Sequence, residues 1–189
     1  YVEENYAERM MGILEKTLRA DVPFFVPRIT DTNIRLMNAV IGTLAQAPVP
    51  RLQVRSLCAD WSVGAEKLYQ LLFVMESVGV VRILRKPYDT KAGTVGEKIF
   101  FGDPTLYEVL GGNPGTEREA LAAAMLAESG RRVEACPDER RGDLVVDGTL
   151  TVEIGGSSKE RKGADFVIRD NVDAAAGRTL PLWSLGFLY

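Results

Sequence analysis

The chain has 189 residues, with 26 Asp/Glu against 23 Lys/Arg, a net charge of −3 and no histidine. Without histidine there is no Ser-His-Asp triad, no Cys-His pair and no His-ligated zinc, so any catalysis falls to carboxylates and lysines. The hydrophobic fraction of 46% and charged fraction of 26% are those of an ordinary soluble protein, long enough for one large domain or two small ones.

No apolar run approaches the roughly 20 residues of a membrane span, and the acidic, polar start carries no secretory signal. Cys58 and Cys136 lie far apart with no second-ligand spacing. A cytoplasmic location with no membrane partner is expected, both thiols serving as buried small hydrophobes. There is no Gly-x-x-x-x-Gly-Lys-Ser/Thr loop, so this chain should not hydrolyse nucleotides. It opens on Tyr1 rather than Met, from which a longer parent chain is expected.

Residues 3–19 carry Tyr6, Met10, Ile13, Leu14 and Thr17 at helical spacing, with Pro23 as a stop. Residues 21–30 read as an extended, packed connection around Phe24 and Phe25. A second helix is predicted from a cap at Asp31 or Thr32 through Ile34, Met37, Val40, Ile41 and Leu44, ending before Pro48. Core packing is the preferred role for both helices, a partner-binding surface the alternative.

From residue 51 a short helix through Val54, Leu57 and Cys58 precedes the turn Trp61-Ser62-Val63-Gly64. A helix with Leu68, Leu71, Leu72 and Met75 on one face follows. Gly79 ends it, Val80–Leu84 is a predicted strand, 88–96 a polar loop and 97–101 the returning strand. This order resembles a winged helix, with Arg85, Lys86 and Lys91 on or beside the wing. Residues 51–98 carry eight Lys/Arg against five Asp/Glu in an otherwise acidic chain. Lys67, Arg85, Lys86 and Lys91 are the candidate contacts to duplex DNA, although Glu66, at the start of the presumed recognition helix, opposes phosphate. A protein-interaction role is the alternative.

Residues 103–113 are expected to form a short helix ending in Gly111-Gly112, taken as a domain boundary. The next helix starts near 114–116 and runs to Gly130. Glu119 shares a stripe with Ala122, Ala123 and Leu126 and either points partly inward or is a first-turn glutamate favoured by the helix dipole. Strands follow at 132–136, in a hairpin at 143–154, at 165–168 and at 179–183, which indicates an α/β layer. Ser184–Tyr189 is expected to dock on the core.

The hairpin is the stretch that reads most like a site. Val146-Asp147-Gly148 signals a tight turn, Asp-Gly supplying positive φ. A two-residue loop would put Asp143 and Glu153 on different faces. A three-residue loop separates Leu144, Val146, Leu150, Val152 and Ile154 from Asp143, Val145, Thr149, Thr151 and Glu153, and this cleaner partition is preferred. Both carboxylates then become diagonal neighbours able to hold one divalent cation. The alternative is a half-exposed hairpin with two solvated acids.

Three stretches carry a family resemblance: Lys98-Ile99-Phe100-Phe101-Gly102-Asp103-Pro104, the helix with Arg118-Glu119-Ala120, and Gly142–Val146. Val152-Glu153-Ile154-Gly155-Gly156 and Pro181–Tyr189 add to it. The chain resembles the region that follows the nucleotide domain in prokaryotic AAA-type ATPases. In that resemblance residues 1–50 are a helical lid-like region, 51–102 a winged helix, and 103–189 a PD-(D/E)xK restriction-endonuclease-like α/β domain. The implied fold class is α+β / α/β, an N-terminal helical and winged-helix unit followed by a small restriction-endonuclease-like α/β domain.

The resemblance implies a nuclease-type site with Mg²⁺ held by Asp143 and Glu153 and a helix carboxylate from Glu119. It also implies a lysine two residues after Glu153 that orients or activates water. That position is Gly155, and the next lysine is Lys159. Two functions are expected from this. One is a regulatory, DNA-associating portion of an AAA-type ATPase with a degenerate nuclease-like domain, ATP being bound only by a missing N-terminal domain of the same parent chain. The other is a metal-dependent DNA endonuclease using Asp143, Glu153 and Lys159, with Glu119 assisting.

Overall fold

The computed structural model describes residues 5–26, 29–88 and 98–188. The first helix, α1 (Tyr6–Lys16), buries Leu14 and does not stop at Pro23. It widens into a π turn at Thr17–Asp21, in which the Val22 N–H donates to Thr17 O, and continues as α2 (Val22–Phe25). The π turn starts a new helical segment just ahead of the proline, so Pro23 sits in a first turn, where a missing N–H is tolerated. Leu18 and Val22 stay on the buried side. Phe24 and Phe25 are exposed and stacked edge to face, correcting the expected packed connection, whose Pro27 lies outside the described residues.

Helix α3 (Asp31–Gln46) buries Ile34, Met37, Val40, Ile41 and Leu44, the face its 3.6-residue period predicts. Its cap is Thr30 rather than Asp31 or Thr32, the Thr30 hydroxyl accepting the Asn33 N–H at 3.3 Å. Then α4 (Val54–Asp60) and α5 (Ala65–Ser77) flank the turn at 61–64, and α5 buries Leu68, Leu71, Leu72 and Met75. Strands β1 (Val81–Leu84) and β2 (Lys98–Phe101) pair antiparallel, Val81 opposite Phe101.

Helix α6 (Leu106–Val109) leads to Gly111-Gly112. Gly112 of this pair is closely packed. A Cβ on Gly112 would lie 2.9 Å from Ala45 O at the end of α3 and 2.9 Å from Tyr107 Cδ1. Asn113 caps α7 (Pro114–Glu128), its Oδ1 accepting the N–H groups of Gly115 (2.8 Å) and Thr116 (3.2 Å). Ala120, Ala122, Ala123 and Ala124 are buried, and such small side chains let the helix lie close against the sheet.

The sheet runs β3-β4-β5-β6-β7 in space: β3 (Val133–Ala135), β4 (Leu144–Val146), β5 (Leu150–Gly155), β6 (Phe166–Arg169) and β7 (Thr179–Pro181). The β3-β4-β5 half is antiparallel and the β5-β6-β7 half parallel. Val146 pairs with Leu150, so three residues connect β4 to β5, as the face pattern required. Asp147 and Gly148 have φ of 50° and 73°, and Thr149 N–H closes the turn on Val146 O. Leu144, Val146, Val152 and Ile154 join the helical core, whereas Val145 and Glu153 are buried outside it.

The expected strand to Trp183 ends at Pro181. Leu182–Phe187 is a 3₁₀ helix that docks Leu182 and Leu185 and leaves Trp183 and Phe187 exposed. One contiguous core joins Leu14 to Leu185 across both halves. Backbone bonds tie them too: Ala135 N–H donates to Arg85 O at 2.9 Å, running β1 up against β3.

Candidate functional site

Three elements bring the predicted acids together. Glu119 projects from the second turn of α7, Asp143 precedes β4, and Glu153 lies in the middle of β5. Asp143 is pinned by backbone on either side of Glu153: its N–H donates to Val152 O (2.8 Å), and its Oδ2 accepts the Ile154 N–H (2.9 Å). A carboxylate that accepts one backbone amide through a single oxygen keeps the other oxygen free for a second partner.

That partner is Lys98, the first residue of β2 and only 6% exposed. Its ammonium reaches Glu119 Oε2 at 2.6 Å and Asp143 Oδ1 at 3.2 Å. A buried charge is tolerated only when paired, and here one ammonium serves two carboxylates. Burial alone would lower the Lys98 pKa, but Glu119 and Asp143 outweigh it and hold the amine charged above its ordinary value. Glu119 is pushed up by burial and by Asp143, against the pull of Lys98.

Glu153 is fully buried, and its Oε1 takes two lysines, Lys159 and Lys162, each at 2.8 Å. Neither Oε1 nor Oε2 has a hydrogen-bond partner of ordinary geometry, so both lysines meet Glu153 as ion pairs. The Glu153 carboxylate beside it raises the Lys162 pKa. Lys159 comes from the segment after β5, fixed by Lys159 N–H to Gly156 O (3.0 Å) and by the Arg169 guanidinium on Lys159 O (2.7 Å). A Cβ built on Gly155 would lie 2.6 Å from Lys159 Cγ and 2.7 Å from its Cδ. The Lys159 stem therefore fills the space above Gly155 and carries an amine to Glu153 from four residues downstream.

All four predicted residues thus belong to one neighbourhood, in two lysine-linked groups. Sequence reasoning missed the roles of Lys98 and Lys162. Lys98 stands in a quoted motif and in the strand returning from the wing, with no role of its own. The available signal was a lysine heading the otherwise apolar run Ile99-Phe100-Phe101.

The proposed DNA contacts lie elsewhere. Arg85 is engaged as a fork by Glu76, Nη1 to Oε1 at 3.3 Å and Nη2 to Oε2 at 3.2 Å. Lys67 is half-buried on α5, Lys86 is half-buried after β1, and Lys91 lies outside the described residues.

Mg²⁺ does not fit the acids as they are arranged. Three carboxylates already face three ammonium groups, Asp143 and Glu153 are held by different lysines, and a divalent ion would add charge to a balanced cluster. Among the described residues no three His, Cys, Asp or Glu side chains gather as a cation site. No protein-family model matches the chain, and neither a curated protein nor a solved structure matches it. Among the described residues no helix is long and apolar enough to cross a membrane.

Proposed function

We propose that this chain is the C-terminal regulatory portion of a cytoplasmic AAA-type ATPase, with a DNA-associating winged helix at 51–102 and a non-catalytic nuclease-like domain at 103–189. Its cellular partner in this reading is the nucleotide-binding domain of the same parent chain, which would hold the ATP. The succession α3, α4, α5 and the antiparallel pair β1-β2 supports the winged-helix assignment. Helix α7 ahead of an antiparallel hairpin continued by parallel strands supports the nuclease-like one.

The observation that carries the reading is the neutralised site. Hydrolysis of a phosphodiester by such a site needs a cation at the developing charge and a positioned water. Here lysines occupy the carboxylates that would hold the cation. One observation favours the endonuclease instead: Lys159 delivers an amine where Gly155 lacks one.

Plasmid incubated with the wild-type chain and Mn²⁺ distinguishes the two. The expected result is no nicking above buffer. Robust nicking that disappears in Lys159→Ala would reject the non-catalytic reading.

A further inference from the structure

Among the contacts that join the two halves of the chain is one buried ammonium. Lys98 belongs to β2, Glu119 to α7 and Asp143 to the approach to β4, so one side chain from the first half closes two carboxylates of the second. The lysine side chain is 7% exposed and its partners 18% and 16%. Solvent is therefore poorly placed to screen them, and Coulomb attraction counts for more than at a surface. Two carboxylate oxygens from different elements lie within 3.2 Å of one nitrogen, the arrangement a bridging metal ion would otherwise impose.

We propose that Lys98 is a tethered replacement for a divalent cation, a positioning residue that locks β2 onto α7 and β4 and excludes metal from between Glu119 and Asp143. The proposal rests on the non-catalytic reading of this site, but it makes a separate claim. The site is kept because it fastens the molecule, and the fastening charge is supplied by the chain itself. Without the ammonium, Glu119 and Asp143 face each other with no cation between them. Breaking a buried ion pair on one side is far more disruptive than replacing the whole set by neutral groups.

The test uses thermal unfolding of three proteins with and without 1 mM Mn²⁺, about the concentration at which a weak carboxylate site fills. Wild type should show no Mn²⁺-dependent change. Lys98→Met, which keeps the apolar stem and removes the charge, should unfold roughly 10 °C lower. Mn²⁺ should restore at least half of that loss, because a bound cation stabilises the folded state by mass action. Lys98→Met/Glu119→Gln/Asp143→Asn should lie closer to wild type than the single variant and ignore Mn²⁺.

If Lys98→Met is insoluble while the neutral triple variant folds, the lock is equally supported, since only the uncompensated carboxylates differ. If both fail to fold, the stem rather than the charge matters and the proposal is overturned. A Lys98→Met protein as stable as wild type, or one indifferent to Mn²⁺, also overturns it, as does a wild type stabilised by Mn²⁺. Nicking by wild type would defeat the non-catalytic reading of the site, whereas cation indifference of Lys98→Met defeats the lock alone.

Discussion

Lys159 brings its amine to Glu153 from four positions downstream of Gly155, and its stem lies in the space that a side chain at 155 would need. A methyl group at Gly155 would meet the Lys159 stem at three carbons, all within 2.8 Å. The stem is flexible and its side chain 32% exposed, so it can be displaced, though only by lifting its amine off Glu153. Gly155→Ala is therefore expected to cost about 1–2 kcal/mol in wild type, the overpacking range. In a Lys159→Gly background, where Lys162 still neutralises Glu153 and no Cβ is left to meet the methyl, it should be nearly neutral. Denaturant unfolding of the double-mutant cycle should give a coupling of about 1–2 kcal/mol. Strictly additive effects would show that the stem does not occupy this space. This residue-scale relation was half legible in the sequence: Gly155 and Lys159 could be named, but whether the loop after β5 folds back depends on Arg169 gripping the Lys159 carbonyl, which no spacing rule foretells.

Among the elements, those with strong apolar periodicity were readable, and those whose ends depend on a single backbone group were not. Helices α3 and α5 bury the faces their patterns announce. Likewise, a three-residue connection in the hairpin followed from which residues had to share a face. Pro23 misled because a π turn resets the helix before it, and the last strand ended early because the chain after Pro181 curls into a 3₁₀ helix. The wing strand shows the same limit for charge. Arg85 counts as a cation in the sequence, yet Glu76, nine residues earlier on α5, takes its guanidinium as a fork. If residues 51–102 contact duplex DNA, Glu76→Gln should strengthen low-salt binding about 3- to 10-fold and steepen its salt dependence. The change frees one cation and removes a charge that repels phosphate. Fluorescence anisotropy across a salt series measures this. Binding that is absent, or unmoved by both Glu76→Gln and Arg85→Ala, would end the DNA-contact reading.

For the whole molecule, the sequence suggested a boundary near the glycine pair, and the packing runs straight through it. Gly112 is pressed against the end of α3, the core is continuous from Leu14 to Leu185, and Lys98 reaches acids 21 and 45 residues away. Contacts of such sequence separation leave no local periodicity, which is why Glu119, Asp143, Glu153 and Lys159 could be named from a motif while the lysine that joins two of them could not. A shared core makes the two halves unfold together, because exposing the face of one exposes the face of the other. The two tryptophans report on this separately: Trp61 follows α4 in the first half and packs against the core, and Trp183 lies in the 3₁₀ helix of the second, its indole N–H on Val172 O. Single-tryptophan proteins, Trp61→Phe and Trp183→Phe, should give urea midpoints that agree with each other and with far-UV circular dichroism, after each is referred to its own stability by dichroism. Midpoints separated within one protein, the fluorescence of Trp183 changing while the helical signal of the first half persists, would mean that the halves are independent units and that the boundary at 102–103 is a real division of the fold.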